Sequence, residues 1–299
     1  MRNTMEKELA IETRALTKFY GKSLGIRDLD LSVEKGDFFG FIGPNGAGKS
    51  TTIRTLLGLI RKTSGDAKVL GYDIVDDKEE ILKRTGYLPS EIWFYHDMKV
   101  KDALKYSADL RKTDCKERAS ELCDRLDLDP NRKVEDLSLG NRKKVGIICA
   151  VQHHPELLIL DEPTSGLDPL MQKEFFSILK EENRRGATIF FSSHILSEVQ
   201  AYCKSAAFIK EGKILLSDKV GELGQTGARK VTILGDVPKE RFSDLSGVTF
   251  TESERDEGIS FLYKGDIKLL LSILSKEEIR DLTITEPSLE EIFMHYYES

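Results

Sequence analysis

The sequence has 299 residues, enough for one large domain and a smaller one with a sizeable buried core. Its 45 lysines and arginines stand against 51 aspartates and glutamates, a formal net charge of -6 with a pI near 5.6, so no bulk positive field is offered to nucleic-acid phosphates and nucleic acid is not expected as a partner. Charged residues at 32% and hydrophobic ones at 39% are the mix of a soluble globular protein and exclude a disordered or membrane-embedded chain. No run approaches the ~20 apolar residues that span a bilayer, and the first residues lack the apolar core of a secretory signal. Cys115, Cys123, Cys149 and Cys203 form no CxxC pair, which fits reduced thiols in a cytosolic protein better than a disulfide framework or a metal site.

In chain order, Leu29, Leu31 and Val33 alternate as one face of a strand, and Lys35-Gly36-Asp37 turns the chain into the buried strand FFGFIG at 38–43. After the glycine-rich GPNGAGKST, Ile53, Leu56, Leu57 and Ile60 fall at i, i+3, i+4 and i+7, which predicts a helix starting at Ser50. The stretch from about Leu88 to Val151 reads as a helical lobe inserted between core strands. LLIL at 157–160 and TIFFSS at 188–193 are short apolar runs separated by helices, the pattern of a largely parallel sheet covered on both faces. AAFIK, Glu211-Gly212 and KILLS read as a hairpin.

Near residue 222 the strand–helix alternation stops, which places a domain boundary between 9–222 and 223–299. The second part reads β-α-β-β-α-β, a small split βαβ unit of α+β class. After Pro287, Ser288 and Glu291 form a capping box for a closing helix carrying Leu289, Ile292, Phe293 and Tyr296 on one face.

Gly43-Pro44-Asn45-Gly46-Ala47-Gly48-Lys49-Ser50 fits G-x-x-x-x-G-K-[ST] between a predicted strand and a predicted helix, the context this phosphate-binding loop needs. Backbone without Cβ can curl around a phosphate and aim N–H groups at its oxygens; the helix N-terminus adds about half a positive charge, and Lys49 adds a full one. By chance such a pattern falls in roughly one chain in a hundred of this length. Ser50 is placed to ligate Mg²⁺ and Thr51 to bond a phosphate oxygen. The strand LLIL ends in Asp161-Glu162, two carboxylates at the carboxyl edge of a sheet, where open α/β folds bind ligands. Asp161 is expected to hold Mg²⁺ and Glu162 to polarise the attacking water.

From roughly Leu9 to Ser217 the chain resembles the ATP-binding cassette family. Leu137-Ser138-Leu139-Gly140-Asn141 stands where that family has its LSGGQ signature loop, SGLD at 165–168 looks like its D-loop, His194 like its switch histidine, and Tyr20 occupies the place of the aromatic that stacks on adenine. The resemblance implies a P-loop NTPase core of the ABC ATPase type with an inserted helical subdomain and an antiparallel β region. It also implies ATP hydrolysis with Mg²⁺, with Lys49, Glu162 and His194 catalytic, and a two-fold dimer in which Ser138, Leu139, Gly140 and Asn141 of one copy complete the ATP site of the other and Asp168 couples the sites. Closure of that dimer would drive a separate transmembrane permease, leaving this subunit peripheral on the cytoplasmic face of the membrane.

Two departures stand out. Ser90, followed by Glu91, occupies the place of a glutamine that ligates Mg²⁺ in many members, and Leu139 and Asn141 replace a glycine and a glutamine of the signature. With the ending EPSLEEIFMHYYE, these variants resemble the ATPase subunits of ABC-2-type exporters. Trp93, Phe94 and Tyr95 read either as an anchor for the permease or as filling of the helical lobe. A soluble clamp acting on a non-membrane partner is the rival; one cassette with neither a heptad run nor a basic patch weighs against it.

Overall fold

The computed structural model describes residues 8–95, 97–223, 228–243, 245–251, 258–287 and 291. The closing helix expected from Ser288, Leu289, Ile292, Phe293 and Tyr296 lies outside the described residues. The chain divides into two compact units, Met1–Ser217 and Asp218–Ser299, a boundary slightly earlier than the expected 222/223.

In the first unit, β1 (Leu9–Tyr20) pairs antiparallel with β2 (Ser23–Glu34) and with β4 (Ser64–Val69), and β5 (Tyr72–Asp73) completes a sheet of order β2-β1-β4-β5. A second sheet has the order β10-β9-β3-β8-β7-β6 and comprises β3 (Phe38–Ile42), β6 (Thr85–Leu88), β7 (Leu157–Asp161), β8 (Thr188–Ser193), β9 (Ser205–Lys210) and β10 (Lys213–Lys219). Strands β6, β7, β8, β3 and β9 run parallel. Every residue of β3, β7 and β8 is buried, which is why these strands read as mostly apolar runs without alternation. The turn at Glu211-Gly212 has positive φ at both residues, the backbone a two-residue hairpin requires.

Helix α1 (Lys49–Leu56) joins the two sheets, because Ile53, Leu56 and Leu57 share one apolar cluster with Ile26, Leu29 and Leu31 of the antiparallel sheet and Phe41 and Ile159 of the parallel one. It stops short of the predicted Ile60. Gly58 adopts φ +62, a left-handed position that glycine takes at no cost and that ends a helix. Helix α2 (Lys78–Arg84) leads into β6.

The connection from β6 to its parallel neighbour β7 carries the lobe: α3 (Val100–Leu110), α4 (Lys116–Arg125) and α5 (Leu139–Val151). Helix α5 lies directly on β6. A Cβ at Gly86 would stand 2.0 Å from the Ala150 carbonyl oxygen, and one at Gly146 would stand 2.3 Å from Ile92 Cδ1, so this contact exists only because both positions lack a side chain. Arg125 of α4 pairs with Glu174 and Glu181 of α6 (Pro169–Arg184) at 2.7 Å each, tying the lobe to the core; α7 (Leu196–Tyr202) follows β8.

The second unit contains the short α8 (Val220–Leu223), then β11 (Arg229–Gly235), α9 (Glu240–Ser243), β12 (Val248–Thr251), β13 (Gly258–Tyr263), α10 (Ile267–Leu274) and β14 (Ile279–Thr285). The sheet order is β12-β13-β11-β14 with every described pairing antiparallel, and Val231, Ile233, Phe242, Phe261, Leu270 and Leu274 form its core. From β11 onward the order of elements is the β-α-β-β-α-β read from the sequence.

Candidate functional site

Three neighbouring parallel strands deliver their carboxyl ends to one edge. Ile42 of β3 is in register with Ser193 of β8, and Ser192 with Asp161 of β7. The loop after β3 turns through Gly46 at φ +82 and Gly48 at φ +108, and α1 begins at Lys49, one residue earlier than the sequence predicts. A side chain at Gly48 would meet both strain and the Gly25 carbonyl at 2.8 Å. Among the described residues no side chain caps the N-terminus of α1, and no acidic residue lies in its first turn, so its first amides and positive end are left for an anion. Asn45 and Gly46 are exposed, Ser50 and Thr51 half-buried, and Gly43 buried.

The Lys49 side chain is only 5% exposed and folds back along the loop, donating to the carbonyls of Gly43 (2.6 Å) and Pro44 (3.1 Å). Its ammonium also lies 3.1 Å from Glu162 Oε1, while Glu162 Oε2 lies 3.4 Å from His194 Nδ1. One carboxylate thus spans the lysine of the phosphate loop and the histidine that follows β8. Glu162 itself adopts φ +47, a left-handed conformation costing about 1–3 kcal/mol that persists only where neighbours impose it. A cavity of about 200 Å³ adjoins it, lined by Glu162, Ser165, Gly166, Ser193 and His194.

Asp161 is fully buried. Its Oδ1 accepts from Ser192 Oγ at 2.8 Å, whereas Oδ2 has no hydrogen-bond partner among the described residues. A buried carboxylate oxygen left over in this way costs free energy unless a cation or donor completes it, so the donor set fits a hard divalent ion. Ser192 Oγ also accepts from the Glu162 amide at 3.1 Å, so one hydroxyl locks both carboxylate residues. Sequence reasoning passed over Ser192; the available signal was a pair of serines ending an otherwise apolar strand.

The other expected residues lie elsewhere. Ser138 caps α5, its Oγ accepting from the Asn141 amide at 3.2 Å, which puts Gly140 inside the first turn of the helix and not ahead of it. Ser138 and Leu139 are exposed, and a Cβ on Gly140 would stand 2.8 Å from the Gly166 carbonyl, so the Ser138–Asn141 loop abuts the segment containing Asp168. Asp168 caps α6 through the amides of Leu170 and Met171, both at 3.0 Å. Tyr20, 47% exposed, closes β1 with its ring against Gly25 and Lys18 Nζ 5.0 Å from its centroid. Ser90 offers its carbonyl to buried Lys143, a residue the sequence did not single out, and Glu91 is exposed. Trp93 and Tyr95 are 86% and 70% exposed, which overturns the reading that they fill the lobe.

The ABC transporter family profile matches residues 26–165. The bacitracin transport ATP-binding protein BcrA of Bacillus licheniformis is 42% identical over 211 residues, covering 69% of this chain and 68% of that protein. The ABC transporter ATP-binding protein YhaQ of Bacillus subtilis (strain 168) is 36% identical over 290 residues, 93% of this chain and 95% of its own length. The chain belongs to the ABC transporter ATP-binding family. A solved structure of the ATP-binding subunit of an ABC transporter aligns on this ABC subunit with a TM-score of 0.69 at 28% identity, covering 72% of the chain and 91% of that structure. The ABC subunit therefore binds and hydrolyses ATP. Among its described residues, no helix is long and apolar enough to cross a membrane.

Proposed function

We propose that the edge formed by β3, β7 and β8 is the ATP-hydrolysing site, with Glu162 as general base. The observation that carries this is the Glu162 carboxylate held between Lys49 and His194, at 3.1 and 3.4 Å, beside the free amides of α1. The loop amides of Asn45, Gly46 and Gly48 together with Lys49 and Thr51 hold the phosphates, Gly43 opens that loop with its own amide on the Ser193 carbonyl at 3.4 Å, and Tyr20 stacks on the adenine. Ser50 and Asp161 hold Mg²⁺, whose charge offsets that of the phosphates when it is bound; the unpartnered Asp161 Oδ2 supports this role, and the Ser90–Glu91 turn supplies a further ligand, directly or through water. Glu162 accepts the proton of the attacking water and His194 orients that water against the terminal phosphate.

The exposed Ser138 and Leu139 and the half-buried Gly140 and Asn141 close on the nucleotide of a second copy, and Asp168, on the segment they abut, relays between the two sites. A groove of about 500 Å³ lined by Trp93, Phe94, Tyr95, Tyr106 and Leu110 receives a cytoplasmic segment of the permease and holds the subunit at the inner face of the membrane. The transport function in the BcrA name and the ABC-2-like sequence features support an exporter over a soluble clamp. Glu162→Gln tests the site: turnover should fall by about 10²–10⁴-fold with nucleotide affinity retained, accumulating an ATP-dependent dimer. Turnover near the wild-type level, or a monomer at saturating ATP, contradicts the reading.

A further inference from the structure

The basic run Arg142-Lys143-Lys144 reads as the solvated face of a helix, yet Lys143 is only 4% exposed. Its ammonium donates to three main-chain carbonyls: Glu162 at 3.1 Å, Ser90 at 3.2 Å and Pro89 at 3.5 Å. These acceptors use all three of its donors. The reach is possible because Gly146, one turn further along α5, lets the helix press against Leu88 and Ile92. Burial holds the Lys143 ammonium below the usual lysine range, and the charges of Asp161 and Glu162 draw it partly back. A buried charge is costly, and an apolar side chain would fill the same space more cheaply.

The benefit lies in what the ammonium grips. The left-handed backbone of Glu162 needs restraint on both sides. Its amide is held from β8 by Ser192, through the carbonyl at 3.2 Å and the hydroxyl at 3.1 Å, and its carbonyl is held from α5 by Lys143. With both flanking peptides fixed, the Cα–Cβ direction of Glu162 is set, and from it the side chain reaches Lys49 and His194. The same ammonium fixes the Pro89–Ser90 turn and belongs to the helix that Ser138 caps.

We infer that Lys143 is a positioning residue for hydrolysis, which sets the aim of the Glu162 carboxylate by gripping its main-chain carbonyl and couples that aim to the Ser90 turn and to the helix behind Ser138. The inference rests on Glu162 being the general base. It concerns kcat, because Lys143 touches none of the residues assigned to hold the phosphates and meets the Ser90–Glu91 turn only at the Ser90 main-chain carbonyl, which leaves the side chains of that turn to the ion.

The test is steady-state ATP turnover of the full-length chain as Lys143→Met, alongside Glu162→Gln. Removing the grip should lower kcat by about 10–10²-fold, the scale of a misplacement near 1 Å, with KM and nucleotide affinity unchanged. In a Glu162→Gln background the same substitution should cost no further turnover while the ATP-dependent dimer still forms. Should Lys143→Met fail to fold, Lys143→Arg keeps charge and donors but cannot set one nitrogen on three carbonyls, and the same fall in kcat at constant KM is expected. Wild-type kcat in the folded variant, or a rise in KM alone, overturns the inference. If Glu162→Gln is inactive and the Lys143 variant is not impaired, only the inference falls; if Glu162→Gln itself turns over normally, the reading of the site falls first.

Discussion

Ser192→Ala removes one oxygen atom from the protein and disturbs both carboxylate residues of the site. The hydroxyl is fully buried, donates to Asp161 Oδ1 at 2.8 Å and accepts from the Glu162 amide at 3.1 Å. The amide keeps a second acceptor, the Ser192 carbonyl at 3.2 Å, so its loss is small. Asp161 is hit harder, because Oδ2 already lacks a partner among the described residues and the substitution strips Oδ1 as well. A hydrogen bond to a charged group contributes about 1.5–3 kcal/mol, and a buried polar atom left without a partner costs about 1–3 kcal/mol, so a loss of about 3 kcal/mol is expected. For a unit of this size that lowers the midpoint by about 6–12 °C. The measurement is thermal or urea unfolding followed by far-UV circular dichroism. Fluorescence of Trp93, the single tryptophan, is unsuitable because that ring is 86% exposed and reports little of the core. Mg²⁺ with nucleotide should recover part of the loss, since a cation beside Asp161 replaces the missing partner and binding stabilises by mass action. A destabilisation below about 0.5 kcal/mol, the level of an ordinary surface change, would refute the reasoning.

Two further predictions concern α5 and its surroundings. Gly86→Ala sets a methyl group 2.0 Å from a main-chain oxygen that cannot yield, whereas Gly146→Ala meets the flexible end of Ile92 and gains about 1 kcal/mol of helix propensity. Gly86→Ala should cost more than about 3 kcal/mol and Gly146→Ala less than about 2 kcal/mol in urea unfolding; the reverse order would count against the packing. His153 is held near a pKa of about 3, well below its ordinary 6.5, by burial and then by the Arg111 charge. The folded state stays neutral where the unfolded chain takes up a proton, so stability is complete above about 6.5 and is lost as the pH falls toward 3, at up to about 1.4 kcal/mol per pH unit. His153→Gln should flatten the dependence of the urea midpoint on pH between 4 and 6, and equal slopes in the two proteins would exclude His153 as the cause.

Much of the architecture was legible because the patterns are local. FFGFI, LLIL and the IFF of TIFFSS are apolar and prove buried on both faces, and the loop after β3 has the glycines that its positive φ values demand. The end of α1 was misread for an equally local reason: Ile60 continues the helical spacing, but Gly58 stops the helix before it. Trp93 and Tyr95 were ambiguous from sequence because an aromatic run looks the same whether it faces a core or an empty groove; only the three-dimensional course of the segment after β6 decides it.

The site was legible where one residue type has one use at its position, as with Lys49 after a glycine loop or two carboxylates ending an apolar strand. Ser192 and Lys143 escaped because their roles depend on partners far along the chain. Thirty-one positions separate Ser192 from Asp161, and nineteen separate Lys143 from Glu162. Arg142-Lys143-Lys144 has the composition of a solvated helix face, and nothing in that run says that α5 is pressed onto β6. The two glycines that allow the pressing carry the missing information, yet each alone reads as a weakness in a strand or a helix. Taken together, Gly86 opposite Ala150 and Gly146 opposite Leu88 and Ile92 define one contact line, and a lysine one turn before Gly146 on that line must be buried. A lysine forced into that interior needs carbonyl acceptors, and it finds them in the irregular backbone of Pro89 and Ser90 and in the left-handed peptide of Glu162.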